Sequence, residues 1–204
     1  MSLRPDLAAI ASAIAPGTRV LDIGCGDGAL LAALRDEKQV DARGMDLDGV
    51  CVERCVAHGL SVIQGDANRD LADYPDKGFD YTVLSQTLQT ATRPDEMLSE
   101  LLRIGRQTFV SFPNFAHWRT RAALLLGGRM PVTRAIPVSW YETPNIHHVT
   151  TKDFRDLAHS KGARIENEWF FTGGSAVSAG ADWRAEFAVF LLSRADRDPG
   201  SVSA

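Results

Sequence analysis

Between Val20 and Gly28 the chain reads Val-Leu-Asp-Ile-Gly-Cys-Gly-Asp-Gly: a short apolar run, then glycines at positions 24, 26 and 28. Glycines let a backbone turn tightly and approach a ligand closely, and a helix starting just beyond them offers unpaired N–H groups. An ordinary strand-to-helix turn needs only one glycine, so three in five residues point to a ligand loop. Gly24, Gly26 and Ala29 also satisfy the dinucleotide fingerprint in its Gly/Ala form. Charge speaks against that ligand, and so against an NAD(P)-dependent oxidoreductase. Asp22 enters the loop and Asp27 sits at the helix start; two carboxylates there repel a pyrophosphate and attract a cation. A ligand carrying an ammonium and a sulfonium suits them better. Asp46, at the end of the next strand-like run, stands where a carboxylate accepts from ribose hydroxyls, and Asp66, after the third run, is placed to accept from an adenine amino group. Acids at the carboxyl ends of three successive parallel strands converge on one crevice.

Other residues offer different chemistry. His117, His147 and His148 are candidate general bases, against capping, packing or partner contact. His147 and His148 are adjacent, so in an extended segment they point to opposite faces and only one enters the crevice. Cys51, Cys55 and His58 share one helix face at i, i+4 and i+7; as a metal site the stripe lacks a fourth ligand, so buried packing and no metal are expected. Cys25 lies in the glycine loop with no base beside it. Three cysteines without a C-x-x-C pair build neither a disulfide framework nor a zinc site, and fit the reducing cytoplasm.

Alternating strands and helices must position these groups, the pattern of a parallel sheet with crossover helices. Leu7, Ile10, Ala11 and Ile14 mark an opening helix that Pro16-Gly17 stops. Strands are expected at 19–23, 40–46, 61–64, 81–84 and 108–112, with helices at 29–35, 50–58 and 94–104. The rhythm breaks over 113–150, which carries four of the nine prolines. A connection this long is usually functional. A helix resumes at 151–161, capped by Thr150 or Thr151 and stopped by Gly162. Strands at 164–171 and 186–193 follow, joined by a loop over 172–181, which makes the sheet mixed.

With 204 residues the chain suits one domain, 1–194, with 113–150 as an insertion and 195–204 as a polar tail. A net charge of -4 without long basic runs gives no footprint for a nucleic acid. The longest apolar stretch, Ala122 to Leu126, is far below the roughly 20 residues a bilayer requires, and the N-terminus lacks a signal peptide's apolar core. A soluble, cytoplasmic protein is expected.

VLDIGCGDG, GMD, QGDA and FDYTVLS resemble, in order, the four motifs of class I S-adenosylmethionine (SAM)-dependent methyltransferases. The resemblance covers about residues 15 to 194. It implies an α/β, Rossmann-like class I methyltransferase fold whose seven-stranded mixed sheet has the order 3-2-1-4-5-7-6, with strand 7 antiparallel and helices on both faces. It further implies SAM or S-adenosylhomocysteine as cofactor. Asp22 would hold the methionine ammonium, Gly24, Gly26 and Gly28 would pass under the ligand with Cys25 packed near it, Asp46 would bind ribose, and Asp66 with the Ala67 backbone would read adenine. Leu47 and Ser85 complete the implied cofactor-binding set.

LRPDL, KQV, SQTLQTATRPDEML, SFPNFAHWRTR, GGRMPVT and SWYETPNIHHVTTKDF resemble the narrower family of methionine biosynthesis protein MetW. That resemblance implies an accessory or regulatory partner of the homoserine O-acyltransferase MetX, with SAM as a sensed ligand, rather than an assured methyl transfer. Ser85-Gln86-Thr87-Leu88 is not the Asn/Asp-Pro-Pro-aromatic run of amino-methylating enzymes, and no Pro-Cys pair exists to attack a pyrimidine. An active methyltransferase on a small metabolite is the alternative. In the 113–150 segment, Arg119, Arg121, Arg129 and Arg134 interleave with Trp118, Trp140 and Tyr141, the residue types enriched at protein interfaces. The same aromatics could equally pack the insertion against the sheet edge.

Overall fold

The first apolar run forms β1 (Arg19–Ile23), buried at every position but the first in the computed structural model, which describes residues 3–133 and 136–195. Strand labels follow chain order. β1 pairs in parallel with β2 (Asp41–Asp46) on one side and β4 (Phe79–Ser85) on the other. β3 (Ser61–Gln64) lies beyond β2, and β5 (Gly105–Pro113) beyond β4, all parallel. β8 (Phe187–Arg194) then runs antiparallel to β5, and β6 (Ala163–Thr172) antiparallel to β8. The seven expected strands therefore stand in the expected order. An eighth, β7 (Ser175–Ala176), folds back on β6 after the Gly173-Gly174 turn, giving β3-β2-β1-β4-β5-β8-β6-β7.

Adjacent residues of the central strands enter different cores, so the sheet is covered on both faces. Val20, Val83, Phe109 and Val189 pack with α1 (Pro5–Ala13) and α2 (Ala29–Lys38) through Leu7, Ile10, Leu30 and Leu34. Leu84, Val110 and Phe190 pack on the other face with α5 (Pro94–Ile104) and α7 (Thr151–Ser160) through Leu98, Leu101 and Phe154. Phe112, Phe154 and Phe190 form a ring cluster with centroids 4.7 to 5.6 Å apart, each pair adding about 1 kcal/mol beyond area burial. α7 is capped by Thr150, whose hydroxyl accepts from the Asp153 N–H.

Several expectations need correction. The 113–150 connection contains a helix, α6 (Trp118–Gly127), that sequence periodicity did not mark. β4 and β5 are longer than expected, because pairing with each other and with β8 carries them past their apolar centres. On α3 (Gly49–Ala57) the proposed buried stripe shrinks to Cys55 alone. Cys51 is half-buried and His58 is exposed, with its Nδ1 2.7 Å from the Arg54 carbonyl. Arg134 and the tail from residue 196 lie outside the described residues.

Candidate functional site

The glycine loop leaves β1 and is tied at once to β2: the Gly24 N–H donates to the Met45 carbonyl at 2.8 Å. Gly24 has φ +70°, and a Cβ there would overlap the Thr87 hydroxyl, so the loop lies directly against the segment that follows β4. Gly26 differs. Its φ is +57°, and a Cβ there would meet nothing within 4 Å, so this turn faces open space. Only glycine combines that backbone with room for a ligand against it. Gly28, also left-handed, precedes α2 and packs over Cys55 and Leu60. Cys25 turns down into the same small cluster with Leu31, Cys55 and Val62, leaving its backbone in the loop. Burial first, then nearby acids, raises its thiol far above the ordinary range.

Asp46 braces the loop. Its Oδ2 accepts from the Gly26 N–H at 2.7 Å and its Oδ1 from the Asp48 N–H at 2.9 Å. A carboxylate has about four acceptor positions, so lone pairs remain for further donors. Leu47 beside it is exposed. Asp66 caps α4 (Ala67–Asp70): its Oδ1 accepts from the Asn68 side chain and backbone, which holds its carboxyl below the usual range. Asp66 and Ala67 border a hollow of about 650 Å³ that Leu71, Thr92 and Met97 close from below. Asp27 is exposed and accepts from the Ala29 N–H.

Asp22 is the unusual group. It is only 2% exposed, and its Oδ1 has no hydrogen-bond partner. Burial pushes its pKa up to about 8; Arg4 draws it down and Asp46 adds to the rise. An unsatisfied buried carboxyl oxygen is costly unless something outside the chain completes it. A cation with N–H donors would do so.

Sequence reasoning missed a buried polar network between α1 and the ends of β4 and β5. Asp6, on the first turn of α1, is 3% exposed. Its Oδ2 accepts from Ser85 (3.1 Å), Ser111 (3.0 Å), Gln86 (3.3 Å) and Arg4 (3.2 Å). Arg4 also donates to the Ser85 hydroxyl at 2.9 Å. The Ser85 hydroxyl, expected at the cofactor, is thus committed to this internal network. One signal was available: Asp6 falls a turn before Ile10, on the stripe that Ile10 and Ile14 continue.

The paired histidines diverge as their adjacency requires. His148 is exposed and stacks on Phe115, centroids 4.4 Å apart and planes 8° from parallel. The His147 N–H donates to the Gln89 carbonyl at 3.0 Å, and both the His147 Nε2 and the Gln89 Oε1 are buried without a partner. His117 is the N-cap of α6. In the 118–146 stretch, Leu125 and Leu126 are each 85% exposed, and Trp140 and Tyr141 are also exposed. Arg121, though exposed, is held to the body of the protein, donating to the Ala116 carbonyl and covering the Trp183 ring. Among the described residues no helix is long and apolar enough to cross a membrane.

A methyltransferase from Mesorhizobium loti described as S-adenosylmethionine dependent superposes with a TM-score of 0.70 at 17% identity, over 93% of this chain and 98% of that one. A SAM-dependent methyltransferase from Archaeoglobus fulgidus gives 0.69 at 17% identity, over 92% and 91%. A TehB-like SAM-dependent methyltransferase from Corynebacterium glutamicum gives 0.64 at 18%, over 95% and 89%. These likenesses establish the class I methyltransferase fold. In sequence, the chain is 35% identical over 211 residues to the bifunctional methionine biosynthesis protein MetXA/MetW of Rhodopirellula baltica; the match takes in 97% of this chain but about a third (34%) of that relative's length. The family model for methionine biosynthesis protein MetW matches residues 4–192. With that match running from Arg4, just before α1, into β8, the chain belongs to the MetW family.

Proposed function

We propose that this chain binds SAM in the crevice above β1 and β2 and serves as an accessory, regulatory subunit of the homoserine O-acyltransferase MetX. The observation that carries the ligand is the unpartnered, buried Asp22 Oδ1 beside the open turn at Gly26. In this reading Asp22 accepts from the methionine ammonium, the turn at Gly26 lies against the ligand, Asp46 accepts from ribose hydroxyls, and Asp66 with the Ala67 backbone meets adenine. SAM supplies a charged sulfonium and ammonium, which a negative crevice distinguishes from a dinucleotide. The partner reading is supported by the relative whose name joins MetXA to MetW. The surface assigned to it is the 113–150 segment, where Leu125, Leu126, Trp140 and Tyr141 are exposed, apolar and aromatic side chains of the kind interfaces bury. The protein is placed in the cytoplasm on the same reading.

Calorimetry with SAM and S-adenosylhomocysteine, then acyltransferase assays of MetX with and without this chain and ligand, tests both halves. Absence of binding removes the ligand; unchanged acyltransferase activity removes the partnership. A second reading, methyl transfer to a small metabolite, draws on His147 Nε2, buried without a partner, as the candidate base. Formation of S-adenosylhomocysteine from SAM with candidate acceptors would support it.

A further inference from the structure

Of the four buried, unpartnered side-chain atoms among the described residues, Asp22 Oδ1 belongs to the crevice, and Gln89 Oε1 and His147 Nε2 to the segments meeting after β4. The fourth, His117 Nε2, stands apart. His117 is 5% exposed and lines a cavity of about 310 Å³ bounded by Asn114, Arg119, Val132, Ile136 and Glu186. None of these residues belongs to the crevice.

The proton on the His117 ring can be placed. Its Nδ1 accepts from the Arg119 N–H at 3.3 Å, as the N-cap of α6. Burial is the main cause holding its pKa below the ordinary value, against an upward pull from Glu186, so the ring is neutral near pH 7 and carries its proton on Nε2. Nε2–H is therefore a buried donor awaiting an acceptor, a state that native proteins rarely leave unexplained. Glu186, 7% exposed, lines the same cavity. Its Oε2 accepts from the Gly173 N–H at 2.9 Å, which leaves acceptor capacity. Arg119, itself exposed, also lines the cavity, its guanidinium over the Trp118 ring. Val132 and Ile136 supply an apolar wall.

A simple anion would face the Glu186 carboxylate, and a simple amine would leave the His117 donor unmet. A ligand with both charges satisfies both ends. We propose that this cavity binds a small zwitterionic aminocarboxylic acid, its carboxylate on His117 Nε2–H and Arg119, its ammonium on Glu186, and a short apolar side chain against Val132 and Ile136. Its volume is at the small end for ligand sites, which suits a free amino acid rather than a nucleotide. The inference does not depend on SAM occupying the crevice.

Calorimetry on the full chain with L-norvaline and L-serine, and with butyrate and butylamine as single-charge controls, tests it. The amino acids should bind with millimolar or tighter Kd, and each control at least tenfold more weakly. His117→Asp keeps a capping acceptor and carries no N–H donor; Glu186→Gln keeps an acceptor for Gly173 and removes the charge. Each should weaken amino-acid binding about tenfold or more, while Asp22→Asn leaves it unchanged. Should either variant fail to fold, Ala123→Phe, which fills the cavity from α6, should abolish binding instead. No binding at 10 mM, controls equal to the amino acids, site variants without effect, or loss of binding in Asp22→Asn would each overturn the proposal.

Discussion

Replacing Asp22 by Asn should make the ligand-free protein more stable while weakening its hold on SAM. In the folded chain burial raises the Asp22 carboxyl to about 8, from 3.8 for an unperturbed group. The folded state therefore keeps a proton that the unfolded chain releases throughout that window. Stability from this group is fully present below pH 3.8 and is lost as pH rises towards 8. Each pH unit removes about 1.4 kcal/mol, so ionising pressure on Asp22 costs about 2 kcal/mol at pH 5 and about 4 kcal/mol at pH 7. Asparagine has nearly the same shape and no charge to desolvate. Denaturant unfolding of wild type and Asp22→Asn at pH 5 and pH 7 should show the variant ahead by amounts growing between those values. Saturating SAM should then narrow the gap, because only the wild type gains a buried ion pair. A variant less stable than wild type at pH 7, or an advantage independent of pH, would refute the reasoning.

Gly24→Ala should cost about 3 kcal/mol or more in unfolding experiments, since its Cβ meets Thr87 at a left-handed φ. Gly26→Ala should cost only about 1 kcal/mol, yet its methyl enters the open side of the turn and should reduce SAM affinity at least tenfold by calorimetry. Asp6→Ala should lower stability by about 3 kcal/mol, because Arg4, Ser85, Ser111 and Gln86 all lose their shared acceptor. Leu125→Glu with Leu126→Glu should leave the melting curve within about 0.5 kcal/mol of wild type, both side chains being exposed. The same pair should weaken association with MetX about tenfold in pull-down titrations, and unchanged association would move the interface elsewhere.

The strands around β1 were legible from local signals, apolar centres in β1, β3 and β4 with a glycine just after β1 and β3 and an aspartate ending β2, which parallel pairing then reinforces. Glycine spacing likewise marked the loop, and the acids Asp22, Asp46 and Asp66 could be placed at or just after the ends of three strands. What escaped was set by contacts distant in sequence. Asp22 reads as one acid among several until the fold buries its Oδ1 and brings Arg4 near. Ser85 reads as an open hydroxyl until Asp6, far earlier in the chain, takes it. α6 escaped for a different reason: its leucines 124 to 126 lie exposed, and Thr120 is its one buried residue, so no apolar stripe of helical period exists to be read. β7 is two residues held by pairing with β6 alone, below any periodic signal. Cys51 and His58 show the converse failure, a tidy i, i+4, i+7 stripe of which the fold buries only Cys55.

The central claim is that the buried Asp22 carboxyl is completed by a cationic ligand. With its pKa near 8 the group is mostly protonated at pH 7 in the free protein, and a bound ammonium must ionise it. Titrating SAM at pH 7 in buffers of different ionisation enthalpy measures the protons exchanged. The wild type should release about 0.9 proton per site, and Asp22→Asn, binding at least tenfold more weakly, should release none from this group. SAM binding of equal strength in both proteins, with no proton released by the wild type, would contradict it.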